Sequence, residues 1–483
     1  MKTLNIHALL LSSLFCLASC SDNGDDTATG YDAAYGTGDA PSVVSLSVSN
    51  GETEADTVDS VIITYDMPIF VPPVHSVKVN TYYADSVKVI NDNQLAVYFN
   101  TVGNTEYEVT IFKPTVHNGT YNFAPDYKFS FKTKIYNTFD ASLFNIDENL
   151  TNENATEEAK ALYFYLRSIY GKKTLSATMA DPAWNTTTAD TLNQLTGKYP
   201  AIHCFDFLFL RWSKPFAGSN WINYMNTSVV EDWVSKGGIA GAGWHWNVPK
   251  TEADKSNLNN YAFYSGDDMT FSARYANRTS SWQHQQIDED LDALSQILLQ
   301  LQSKGIALLW RPLHEASGSD YGTWFWWGTD GSVQYKKLWI YMYNYLKDKG
   351  VNNLIWVWTS QGLQAPNGDD SLWYPGDEYV DIIGRDYYDV KDHQSIKAEF
   401  DKLREITGGK KMITLSECGQ IPSVENMLSN GDVWSWFMPW NGEYMTDKHN
   451  SADFFSKQMN SDYVITRDEV PTDLKKYMEE NNN

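Results

Sequence analysis

Two glutamates in this 483-residue chain stand where chemistry can be done. One closes the run Trp310-Arg311-Pro312-Leu313-His314-Glu315, the other closes Thr414-Leu415-Ser416-Glu417. Each follows a short apolar stretch that reads as a buried β-strand, which puts each carboxyl at or just past a strand's C-terminal end. A lone Glu in such a place is most often a rim carboxylate in an ion pair. Two of them in aromatic surroundings point to cleavage of a glycosidic bond, which needs a pair of carboxyls around one sugar. One carboxyl must arrive protonated and the other ionised at the same pH. A Glu among indole rings and beside a second carboxylate has its charged form disfavoured, so it can act as general acid. The other, held by a cation and hydrogen bonds, stays charged and can attack the anomeric carbon. Carboxyls about 5–5.5 Å apart would permit a covalent intermediate and retention, and about 6.5–9.5 Å would imply inversion.

Such a pair needs a scaffold that ends several strands at one place. Eight apolar runs qualify as strands: Thr174–Thr178, Ala201–Phe205, Gly238–Trp244, Ile306–Arg311, Leu354–Trp358, Val380–Asp386, Met412–Glu417 and Val433–Phe437. Helical patterns fill the gaps. Ile287, Leu291, Leu294, Leu298 and Leu301 recur at three- and four-residue steps and stop at Gly305, and Lys337 to Lys349 and Ile396 to Ile406 behave alike. A polar stretch, roughly 137–154, leads into the first helix, where Asn154 is the expected cap and Gly171 the stop. Eight strands linked mostly by helices predict a (β/α)8 TIM barrel over 150–475, with its chemistry at the strands' C-terminal ends. A doubly wound open sheet is the alternative, but no Gly-rich phosphate turn follows the first strand. Trp356 and Trp358 recur on one strand, so at most one set of ring faces can meet the cavity; Trp339, on a helix, is expected in the core.

Ahead of the barrel the pattern changes. From 41 to 134, seven short alternating runs, among them Ile62-Thr64, Leu95-Val97-Phe99 and Phe129-Phe131, suggest an all-β sandwich. Residues 1–20 read as a secretory signal ending Leu17-Ala18-Ser19-Cys20, with Cys20 the expected lipidation site. Residues 21–40 hold five Asp and no basic residue, a composition that suits a flexible tether rather than a packed element. The expected address is a lipid-anchored, cell-surface position at an outer membrane.

Composition removes other classes. A net charge of −24 lacks the basic footprint that nucleic acid demands. Four Cys exclude a disulfide framework, and buried free thiols are the plainer reading of Cys204 and Cys418. Cys418 directly follows Glu417 and would point the other way from a strand, so a catalytic thiol is not expected. His203, His284, His393 and His449 show no metal-ligand spacing, and hydrolysis of this kind needs neither metal nor cofactor. All 18 Trp fall between Trp184 and Trp440, within the expected barrel.

The motifs of this barrel resemble glycoside hydrolase family 26, above all its β-mannanases. The resemblance rests on Arg311-Pro312-Leu313-His314-Glu315, Trp324-Phe325-Trp326-Trp327-Gly328 and Leu415-Ser416-Glu417, in order with Trp244-His245-Trp246, Tyr374-Pro375-Gly376-Asp377 and Gly384-Arg385-Asp386-Tyr387-Tyr388. The opening of the sandwich is similar to bacterial immunoglobulin-like modules, which usually serve as spacers. What the family implies is a retaining endo-β-1,4-mannanase with Glu315 as acid/base and Glu417 as nucleophile. It further implies His314 and His245 on the −1 sugar, Arg311 favouring the charged nucleophile and Tyr388 hydrogen-bonded to Glu417. Asp386 would shape the floor, and Trp324 and Trp440 would frame the sugar. The implied partner is a β-mannan polysaccharide or oligosaccharide, with the enzyme a monomer. Arg385 departs from the pattern, because a strand position of this kind is expected to be apolar. Alternatives are a β-glucanase or xylanase using the same pair, or a glycan-binding surface lipoprotein without catalysis.

Overall fold

The structure is a computed structural model that describes residues 36–101, 103, 105–181, 184–214, 216, 222–318, 323–361 and 369–482. The expected signal segment, Cys20 and most of the tether lie outside the described residues. The chain divides into two compact units, one ending at Thr133 and the other running from Lys134.

The first unit is built from two sheets. Val43–Leu46, Ser60–Tyr65, Gln94–Tyr98 and Ser86–Asn91 form one, in that spatial order and antiparallel throughout. Glu52–Ala55, Tyr127–Thr133, Glu106–Ile111, Val77–Val79 and Tyr82–Tyr83 form the other. Alternation does the work: in Ser60–Tyr65, Val61, Ile63 and Tyr65 are buried while their neighbours are only half-buried. Val61, Ile63, Leu95 and Val97 from the first sheet share one core with Val109, Ile111, Phe129 and Phe131 from the second. Two strands escape a pattern reading. Glu52–Ala55 is too polar to announce itself, and Tyr82–Tyr83 is only two residues long.

The second unit is a closed parallel barrel. Its eight strands are Thr174–Met179, Ile202–Asp206, Ile239–Trp244, Leu308–Pro312, Leu354–Ser360, Ile382–Tyr387, Met412–Cys418 and Trp436–Pro439, hereafter strands one to eight. Each pairs with the next in parallel, and strand one pairs with both strand two and strand eight, which closes the ring. Closure explains why the runs are apolar on both faces: one side packs the interior and the other the surrounding helices. Helix Trp282–Ser303 shows the outer layer, with Ile287, Leu291, Leu294, Leu298 and Leu301 fully buried and Ser281 capping the His284 amide at 3.1 Å. Helix Glu157–Ile169 is capped by Thr156, not by Asn154. Asn152 Oδ1 accepts from the Asn154 amide at 3.0 Å, which keeps that stretch in a turn and delays the helix. Trp339 is buried and donates to the Tyr379 carbonyl at 3.1 Å. Trp356 packs on Trp339 and Tyr343, and Trp358 on Tyr374, so both rings face the outer layer and neither meets the cavity.

One irregularity matters for the site. Leu415 of strand seven pairs with Arg385, yet the next pair along is Asp386 with Glu417, and the ladder to strand eight skips in the same way. Strand seven therefore carries one extra residue, a β-bulge. A regular pleat turns consecutive residues to opposite faces. The bulge lets Ser416 and Glu417 both address the interior, where Ser416 Oγ meets Thr359 Oγ1 at 3.0 Å. Gly384 on strand six makes room for it, since a Cβ there would lie 2.2 Å from Ser416 Oγ and 2.9 Å from Thr359 Oγ1.

Candidate active site

Glu315 is delivered by a strained turn. Strand four ends at Pro312, and both Leu313 (φ 50°) and Glu315 (φ 55°) take left-handed backbone, a conformation that costs non-glycine residues about 1–3 kcal/mol. The turn is held from outside. Tyr335 Oη donates to the Leu313 carbonyl at 3.0 Å, Trp327 Nε1 to the His314 carbonyl at 2.8 Å, and the Glu315 amide to the Thr359 carbonyl at 3.2 Å. Behind it Gly328 touches the same turn so closely that a Cβ would lie 2.1 Å from the Ala316 oxygen. Within Trp324-Phe325-Trp326-Trp327-Gly328 the duties thus divide. Trp326 and Trp327 are buried scaffold, with Trp326 Nε1 on the Trp246 carbonyl at 2.8 Å, whereas Trp324 Nε1 donates to Glu315 Oε2 at 2.9 Å.

Three carboxyls converge over one guanidinium. Arg311 Nη1 donates to Asp386 Oδ2 at 3.0 Å, and its Nη2 to Glu417 Oε1. Tyr388 Oη donates to Glu417 Oε2 at 2.6 Å, which makes Tyr388 rather than Tyr387 the partner. One carboxylate oxygen each from Glu315, Asp386 and Glu417 lie within 4.8 Å of one another. Such a trio has the reach to hold a cation, but the guanidinium already sits between two of its members. The two glutamates are both enclosed but have different partners. Burial, and then the charge of Asp386, pushes the Glu315 carboxyl up to about 8, with Arg311 and the Trp324 indole pulling the other way. Asp386 is also raised, by burial first, with Arg311 opposing. Glu417 has instead a cation and a phenol donor, both of which favour its charge.

A histidine relay forms the adjoining wall. Asp206, at the C-terminal end of strand two, accepts from the His245 amide at 3.1 Å through Oδ1 and from His245 Nδ1 through Oδ2. With its Nδ1 proton committed, His245 presents Nε2 as acceptor to His314 Nε2 at 3.2 Å. Burial, then Arg311, then His245 hold His314 well below its ordinary range, so it is neutral. Trp440 packs on His245 with ring centroids 5.8 Å apart, and Phe263 and Phe325 close the other sides. Trp244 and Trp246, by contrast, stack on each other at 4.1 Å and are buried.

The structure thus brings Arg311, His314, Glu315, Trp324, Asp386, Tyr388 and Glu417 into one cluster, with His245 bonded to His314 and Trp440 beside it. Asp206 was missed, although an Asp closing a barrel strand is a signal that could have found it. Phe263 carried no signal, being one aromatic in an unpatterned loop. Cys204 and Cys418 are buried free thiols. Burial pushes Cys204 up to about 12 and raises Cys418 as well, which makes both poor nucleophiles. Arg385 is fully buried yet charged: it lies against Asp370 and within 3.0 Å of Glu399, on the outer side of strand six.

Comparison with known proteins agrees with this geometry. The model for glycosyl hydrolase family 26 matches residues 151–469. A mannan endo-1,4-beta-mannosidase of Thermothelomyces thermophilus is 35% identical over 330 residues, 67% of this chain and 64% of that protein. Mannan endo-1,4-beta-mannosidase A of a Piromyces species is 32% identical over 339 residues, 68% of this chain and 51% of its own. The chain therefore spans roughly half to just under two thirds of these curated relatives. Among solved structures, the family 26 domain of an endo-beta-mannanase/endo-beta-glucanase from Prevotella bryantii shares 40% identity at a TM-score of 0.60, covering 68% of this chain and 99% of that one. A beta-mannanase from a symbiotic protist of the termite Reticulitermes speratus, complexed with gluco-manno-oligosaccharide, gives 33% and 0.59, with 68% and 99% covered. The matched segment begins just ahead of the first barrel helix and ends beyond strand eight, so it takes in the whole ring and both glutamates: this chain belongs to glycosyl hydrolase family 26.

Proposed function

We propose that this chain is a retaining endo-β-1,4-mannanase that hydrolyses mannan, glucomannan or galactomannan by double displacement. The observation that carries the reading is the pair of unlike glutamates. Their oxygens lie within 4.8 Å, with Glu315 shielded and proton-retaining and Glu417 paired to Arg311 and Tyr388. Such a close approach of the nearest oxygens supports direct attack by Glu417 over attack by an intervening water. In the first step a Glu417 oxygen bonds to the anomeric carbon while Glu315 gives its proton to the departing glycosidic oxygen. In the second, water attacks that carbon, Glu315 takes the water's proton, and the bond to Glu417 breaks. His245 and His314 would meet the hydroxyls of the −1 sugar, and Trp324 and Trp440 would flank its ring. Mannan as substrate is supported by the naming of the relatives as mannan endo-1,4-beta-mannosidases.

The same proposal places the enzyme outside the cell as a monomer. Cys20 would carry lipid at an outer membrane, residues 21–40 would act as tether, and the sandwich would be an immunoglobulin-like spacer. Support comes from Leu17-Ala18-Ser19-Cys20 and the acidic stretch after it. Radiolabelled palmitate should enter the wild type and not Cys20→Ser.

The test of activity is a panel of mannan, galactomannan, mixed-linkage glucan and xylan, digested by wild type and Glu417→Ala with product sizing. Mannan-derived oligosaccharides from the wild type alone bear the reading out. Products only from glucan or xylan transfer the site to another substrate. Binding without release by either protein makes the chain a binder.

A further inference from the structure

Arg385 is a charged residue of the barrel wall that the reaction does not use. It stands in strand six with no exposed surface, where a parallel barrel normally packs an aliphatic side chain. Its Nη1 donates to Ser360 Oγ at 2.5 Å and pairs with Asp370, and its Nε lies 3.0 Å from Glu399, both carboxylates being almost fully buried. These partners come from three different pieces of chain. Ser360 ends strand five, Asp370 opens the short helix Asp370–Trp373, and Glu399 belongs to helix Lys397–Thr407. A buried ion cluster is poor evidence for a stability role, since apolar residues of the same volume often do as well or better. Its better-attested use is to select one arrangement among near-equals.

A choice of arrangement exists at this point. The bulge in strand seven falls between the pairs Arg385–Leu415 and Asp386–Glu417, so the pleat alone does not dictate which residue of strand seven lies opposite Asp386. Two of the groups that act on the reacting carboxyls lie within three residues after Arg385. Asp386 is bonded to Arg311, and Tyr388 donates to Glu417. On the interior side, Gly384 and Ser416 fit with no slack. We propose that Arg385 is a positioning residue: its ion pairs with Asp370 and Glu399 anchor the end of strand six so that Tyr388 reaches Glu417 and Asp386 reaches Arg311. The proposal rests on the reading of Glu417 as nucleophile.

The test is a double-mutant cycle on the full chain, read as kcat on mannan. To avoid leaving buried charges unpaired, the cluster is neutralised as a whole in Arg385→Met/Asp370→Asn/Glu399→Gln, and thermal unfolding verifies that this triple variant is folded. In the wild-type background Tyr388→Phe removes a hydrogen bond to a charged group, expected to lower kcat by about tenfold or more. In the neutralised background the phenol is no longer held in reach, so Tyr388→Phe should change kcat by about twofold at most. A tenfold loss in both backgrounds overturns the positioning role and leaves the nucleophile reading intact. No loss from Tyr388→Phe in the wild type overturns the reading of Glu417 and the proposal with it. Should the triple variant not fold, Arg385→Lys provides the second arm. It keeps the charge but not the two-sided fork, and must shrink the Tyr388→Phe effect at least threefold for the proposal to stand.

Discussion

Asp386 faces two demands at once: it accepts from Arg311, and its negative charge lies against the buried carboxyl of Glu315. After burial, that second contact does most to push the Glu315 carboxyl up. Replacing Asp386 by Asn removes that charge and leaves more of the guanidinium's field on Glu315, so Glu315 should ionise at lower pH. The alkaline limb of kcat/KM, expected near pH 8 in the wild type, should then move down by about one unit or more. A limb that stays in place would mean that burial alone sets Glu315. Glu315→Ala should slow mannan hydrolysis by about 10²–10⁴-fold, yet slow activated aryl mannosides far less, because only the poor leaving group needs a proton. Equal losses on both substrates would remove Glu315 from the acid's role. Much of this site was legible from the sequence, because Arg311, His314, Glu315 and Glu417 sit directly at strand ends where spacing alone brings them together. Asp206 was not, since its importance lies in the tautomer it imposes on His245, a hydrogen bond that no spacing encodes.

At the level of elements, the aim of Glu417 depends on a bulge and on the glycine facing it. Gly384→Ala would set a methyl 2.2 Å from Ser416 Oγ and 2.9 Å from Thr359 Oγ1, contacts that require these side chains to turn or strand six or strand seven to move. Overpacking of this kind costs about 1–3 kcal/mol. Strand seven carries Glu417, the proposed nucleophile, so a shift there should lower kcat about tenfold or more while the circular dichroism spectrum stays native. Normal kcat with a lowered melting temperature would show that the bulge tolerates the shift. The eight strands were readable because each is a continuous apolar run buried on both faces, and helix Trp282–Ser303 because its leucine stripe has a helical period. The bulge was invisible, since Leu415-Ser416-Glu417-Cys418 reads as an ordinary strand. So was the capping of the first helix by Thr156, because Asn154 offers the same chemistry two residues earlier and loses only to a turn closed by Asn152. Arg385 looked like a misfit in its strand until Asp370 and Glu399, from separate elements, were brought to it.

The whole molecule carries an acidic excess of 24 charges and also buries carboxyls that resist ionising. Burial pushes Asp432 up to about 7 and Asp290 up to about 6, from an ordinary value of 3.8. In that window the folded chain holds protons that the unfolded chain has lost, so stability is lost as pH rises from about 4 toward 7. The unfolding midpoint should therefore be higher near pH 5 than near pH 7.5, and Asp432→Asn should flatten the slope. An equal slope in the variant would contradict the assignment to Asp432. Beyond stability, the central claim about the molecule is that its barrel sets Glu315 and Glu417 close enough for a covalent intermediate on a β-mannoside. The most direct measurement is proton NMR of manno-oligosaccharide hydrolysis, followed from the first turnover. The account predicts that the new reducing end appears first as the β-anomer and only then equilibrates with the α form. Initial release of the α-anomer would contradict it.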